Sequence, residues 1–78
     1  MYALINTMNA IPGDSLGTIV SLHRSVPAAV RSDAALQRAT RRGSGSSSYI
    51  PTRVVRLVGS FVGRHVPPAL AVRVHYDD

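Results

Sequence analysis

Along this chain the spacing of apolar positions alternates between two periods. A period of two marks a strand, and a period near 3.6 marks a helix. Residues 2–6, YALIN, read as a short strand. TMNAIPGDS follows as a loop, with Pro12, Gly13 and Asp14 as its turn chemistry. Residues 16–23, LGTIVSLH, are rich in β-branched side chains and read as a second strand, antiparallel to the first across a long connection. The period then changes. Ser25 is placed to cap a helix, and Pro27 is tolerated in a first turn whose N–H groups have no partner. This helix is expected to run to about Arg42, with Gly43 as the left-handed residue beyond its end. At about 100° per residue, Val26, Ala29 and Leu36 share one face, and Arg31, Arg38 and Arg42 fall within about 40° of one another on the far side. Asp33 projects near the apolar face, as a boundary residue paired with an arginine from the sheet.

The second half returns to strands. GSGSSS stops the helix, and residues 43–48 are expected to be a flexible link. Tyr49-Ile50-Pro51 leads into a strand at 52–58, with the proline at its entrance where a missing donor does no harm. Residues 59–69 read as an irregular segment. Residues 70–76, LAVRVHY, alternate cleanly, with Tyr76 turned to the core and His75 away from it. The order β-β-α-β-β predicts one domain over 1–78, of α+β class: a small four-stranded antiparallel sheet with one helix packed on one face. The helix would cover Val20, Leu22, Val55, Leu57, Val72 and Val74. The opposite face would carry Ile19, Val54, Val58 and Ala71, with Arg56, Arg73 and His75 among them. That second face is too apolar to stand open in so small a protein. Either segment 59–69 or a second copy of the chain, in a homodimer, should cover it.

Composition sharpens this picture. A chain of 78 residues buries about 60% of its unfolded surface, so its core is marginal. It has no cysteine, which removes disulfides and thiolate metal sites. No segment nears the roughly 20 apolar residues of a membrane span, and the start lacks the basic and apolar regions of a secretory signal. All nine basic residues are arginine, against four aspartates, for a net charge of +5. Such a surface attracts polyanions or acidic protein faces, and guanidinium grips carboxylate or phosphate in a bidentate fork.

Few chemistries survive. GSGSSS follows a helix and lacks the strand before it and the Gly-Lys-Ser/Thr ending that a phosphate loop needs. Paired carboxylates are missing, because only Asp14 and Asp33 lie within the fold. His23, His65 and His75 are scattered without the spacing of a metal site, although His23 and His75 would meet if their strands were neighbours. The serines cluster at 44–48, where no rigid turn presents a nucleophile, and the chain leaves little room for a pocket of about 300 Å³ or more. Neither enzyme activity nor a cofactor nor a metal is therefore expected. What remains is binding through basic faces: Arg31, Arg38, Arg41, Arg42, Arg53, Arg56 and Arg73. The helix stripe can lie along a phosphate backbone, as in a small DNA- or RNA-binding protein. An arginine-bearing, partly apolar sheet face also suits a protein interface.

The segment GTIVSLHRSVPAAVRSDAALQRATRRG, followed by SYIPTRVVRL and preceded by the MYALIN start, resembles the short reading frames of phages. In size and single-domain make-up the chain is similar to anti-CRISPR proteins acting on type I systems. This resemblance spans about residues 2–58 and transfers no functional residue. It implies a non-catalytic inhibitor in the host bacterial cytoplasm. Such an inhibitor binds a subunit of the effector complex and blocks target-DNA binding or nuclease recruitment. A net charge of +5 excludes mimicry of DNA, so the expected target is an acidic patch or a nucleic-acid path.

Overall fold

A computed structural model of the chain describes residues 1–44 and 49–74. It contains strands β1 (Tyr2–Asn6) and β2 (Thr18–His23), helix α1 (Val26–Ser44), and strands β3 (Thr52–Leu57) and β4 (Ala71–Arg73). Short 3-10 turns at Thr7–Asn9 and Pro68–Leu70 were not legible in the sequence pattern. The fold is α+β, with one helix on a four-stranded antiparallel sheet ordered β2-β1-β3-β4. β1 and β3 are central, so both of their faces must be covered. Both are accordingly apolar on adjacent residues: Leu4 beside Ile5, and Val54 beside Val55. β2 and β3 each run antiparallel to β1 and hence parallel to each other. The parallel pair requires a crossover, which α1 supplies over β1.

The helix begins as its sequence dictates. Ser25 Oγ accepts from the Ala28 amide at 3.3 Å, satisfying one of the first-turn donors. Its end differs from expectation. The helix continues through Gly43 to Ser44, and Gly43 is not among the glycines with positive φ. The link expected at 43–48 thus begins two residues late, and its remainder lies outside the described residues. His75 and Tyr76 lie outside them too.

The register of β3 corrects the expected faces. Val54 sits opposite Leu4, and the two join Ala29 in the cluster under the helix, with Tyr2, Leu36 and Val74 around them. Arg56 pairs with Tyr2 and so belongs to that same side. Val55, by contrast, sits opposite Ala3 and packs with Ile5 and Val66, with Leu57, Leu16, Ile19, Phe61 and Ala71 around them. Val54 and Arg56 were expected away from the helix, and Val55 and Leu57 under it. The run Arg53-Val54-Val55-Arg56 has no period of two, so pattern alone cannot choose its parity. Only pairing with β1 does. β2 carries an irregularity as well: Leu4 faces Ser21 and Ile5 faces Ile19, which leaves Val20 as an extra bulged residue. Leu22 consequently pairs with Ala3 on the side away from the helix and is half-exposed.

Two irregular segments cover the second face. Segment 59–70 and the loop at 10–17 lock together through their backbones: Leu16 N–H donates to Val66 at 2.9 Å, and Val66 N–H donates to Gly17 at 3.0 Å. Ile19 N–H reaches Arg64 at 2.9 Å. Val66 is fully buried beneath this seam. Of the two covers weighed from the sequence, the chain's own segment takes that place. Gly17 permits the approach, with φ near 142° and no room for a Cβ beside the Asn6 carbonyl and Thr7 Cα. Among the described residues, no helix is long and apolar enough to cross a membrane.

Candidate functional site

The seven arginines read as candidates are all exposed, and the fold distributes them over three surfaces. Arg31, Arg38 and Arg42 lie on α1 at about 180–220° from Ala29, which is buried against the sheet. They therefore form a stripe on the outer face of the helix. Arg41 sits beside that stripe in the last turn, where a cation meets the negative end of the helix dipole. Arg56 stands alone on the helix side of the sheet, opposite Val72 of β4. Arg53 and Arg73 share the other side. Arg73 pairs with Val55, and Arg53 is two residues along β3, so the two are diagonal neighbours on one face.

These two line the same trough. A cavity of about 220 Å³ is bounded by Arg53 and Arg73 and lined by the apolar side chains of Ile5, Leu16, Val55 and Ala71. A second, of about 380 Å³, continues past Arg53 toward Pro12 and Gly13. The two have Thr7, Leu16, Arg53 and Pro68 in common, so they form one elongated depression with Arg53 midway. A separate bowl of about 440 Å³ lies near β2, between Asn6, Asn9, Arg64 and His65. The expectation that so short a chain has little room for pockets is thus corrected. Helices pack flush, but irregular segments laid over a sheet leave clefts between them.

Asp33 behaves differently from the sequence expectation. It takes no sheet arginine as its partner. Oδ1 accepts from Thr52 Oγ1 at 2.7 Å and from Gln37 Nε2 at 3.1 Å. Gln37 also donates to the Ile50 carbonyl at 2.7 Å and accepts from the Ile50 amide at 3.1 Å. The carboxylate, the amide and the start of β3 form a clasp that holds the entrance of β3 against the middle of the helix. Thr52 and Asp33 lie on the helix side of the sheet, while Arg53 points the other way. No carboxylate lines the trough among the described residues.

Two serine–histidine contacts were invisible in the sequence, because both depend on tertiary placement or strand geometry. Ser15 Oγ lies 2.8 Å from His65 Nδ1, and Ser21 Oγ lies 2.7 Å from His23 Nε2. Neither has the make-up of an activated nucleophile. Ser15 is buried and bonded to both the amide and the carbonyl of Gly17. Ser21 Oγ also contacts Ser32 Oγ of α1 at 3.2 Å. Such sharing fixes each hydroxyl as a tie between segments, whereas a nucleophile must be presented to a substrate. The spacing of Ser21 and His23, two apart on one strand, was the signal that could have found the second pair. Among the described residues no group of three or more candidate ligands comes together for a metal ion. β2 and β4 occupy opposite edges of the sheet, so the strands expected to bring His23 and His75 together are not neighbours.

No family model, no curated protein and no solved structure matches this chain.

Proposed function

We propose that this chain is a phage-type inhibitor, of the anti-CRISPR kind, that works by adhesion. It covers a subunit of a type I effector complex and so blocks target-DNA binding or nuclease recruitment. The observation that carries this reading is the placement of the arginines. Every candidate guanidinium is exposed, and two of them flank an apolar trough that no carboxylate of the described chain fills. Exposed arginine next to apolar surface is the composition of a protein interface core and rim. The reading is tested by capture of purified type I effector subunits on the immobilised chain after nuclease treatment. Retention of a subunit, together with protection of a phage in a strain with active immunity, is the expected result. Absence of both overturns it.

A second reading has its own observation. Arg31 and Arg42 are eleven residues apart on α1, a stripe of about 16 Å that can follow a phosphate backbone. On that reading the chain is a small DNA- or RNA-binding protein. A gel-shift titration separates the two. Direct contact of the three stripe arginines with phosphates gives a slope of about −2.7 in log affinity against log salt.

A further inference from the structure

We infer that the trough beside Arg53 and Arg73 receives an extended acidic segment of a partner protein, in which two carboxylates stand two residues apart and an apolar side chain precedes them on the same face. This deepens the inhibitor reading and rests on it, because it specifies the chemistry of the partner. The spacing is the first argument. Diagonal neighbours on paired antiparallel strands have their Cα atoms about 7–8 Å apart. Alternate residues of an extended peptide are about 6.6 Å apart and point the same way. Arg53 and Arg73 are such a diagonal pair, so the backbone spacing matches that of two carboxylates on one extended segment, one for each fork.

Shape and lining give the second argument. The depression is elongated, running from Arg73 past Arg53 toward Gly13, which suits a strand-like occupant. Leu16 and Ala71 in its lining are only half-buried and gain from an aliphatic side chain. Among the described residues it contains no aromatic side chain on which a nucleobase would stack. Charge complementarity completes the case, since two cations line the trough and no anion of the described chain does.

The probe is a fluorescein-labelled octapeptide carrying Leu-Ser-Glu-Ser-Glu, titrated with the full chain and followed by anisotropy. Saturable binding is expected. Arg53→Gln and Arg73→Gln should each weaken it at least tenfold, with an unchanged circular-dichroism spectrum. Replacing both glutamates of the probe by glutamine should abolish it. The double variant R31Q/R38Q, which alters the helix stripe alone, should change it less than twofold. The inference is overturned if the wild-type chain does not bind the probe. Equal loss from the stripe and trough variants also overturns it, since general charge attraction would then suffice, and so does displacement of the probe by a single-stranded oligonucleotide at equal concentration. Peptide binding without capture of any effector subunit sinks only the inhibitor reading. Capture that survives Arg53→Gln and Arg73→Gln sinks only the assignment of the trough.

Discussion

The two sides of the sheet are covered by different means, and the difference explains where the candidate binding surface lies. On one side a single helix buries Leu4, Ala29 and Val54. Its backbone is satisfied internally, so it needs only side-chain ties to the sheet: Asp33 to Thr52, Gln37 to Ile50, Ser32 to Ser21. On the other side, two irregular segments bury Ala3, Ile5, Val55 and Val66. Apart from short internal turns such as the Ile11–Ser15 bridge, their backbone groups bond to one another across the seam at Leu16, Gly17 and Val66. A helix offers a continuous wall. Pieced segments cover the core and still leave a trough between them, with Arg53 and Arg73 beside it.

If the helix-side layer is the more cooperative of the two, its loss should be the more costly. Leu4→Ala is expected to lower stability by about 3 kcal/mol, enough to unfold much of so marginal a chain. Denaturant titration measures it. A Val66→Ala change, on the seam, should cost less, and hydrogen exchange should show residues 59–70 opening ahead of the strands. Equal protection across both layers would break the comparison. Gly17→Ala probes the seam from its backbone. A Cβ there meets the Asn6 carbonyl at a φ that side chains avoid, and a loss of about 2–3 kcal/mol is expected by thermal unfolding.

The clasp should give a smaller and more local effect. Asp33→Ala removes the acceptor for Thr52 and Gln37 and is expected to cost about 1–2 kcal/mol. Combined with Thr52→Val in a double-mutant cycle, it should show coupling of about 1 kcal/mol. Additive losses would mean that the clasp holds nothing. Ser25→Ala removes the helix cap and should cost about 1 kcal/mol. Smallest of all, Arg31→Ala and Arg38→Ala should leave stability within about 0.5 kcal/mol, because both side chains are exposed and on the outer face. A larger loss would give the stripe a structural role and weaken its claim to be a binding face.

Local chemistry was legible from the residues alone. β1 lies where the pattern placed it, Ser25 caps the helix, and the arginine stripe faces away from buried Ala29. Each of these depends on neighbours within one or two turns of chain, so the order of residues is sufficient. The candidate site was legible only as a set of arginines. That Arg53 joins Arg73, while Arg56 is turned away, follows from strand register.

The amino-acid sequence by itself determined that there are four strands and one helix, their order, the net positive charge and the helix cap, but neither the short 3-10 turns nor the limits of β4, which spans only Ala71–Arg73. Tertiary structure decided which face of β3 meets the helix, because two adjacent valines between two arginines satisfy either parity equally well. It also decided that Asp33 serves a threonine and a glutamine, and that the core on the second face is covered by the chain's own segments. Hydrophobic period is a local signal and survives in one dimension. Pairing across the sheet joins residues some fifty positions apart, such as Leu4 and Val54, and no local rule encodes it.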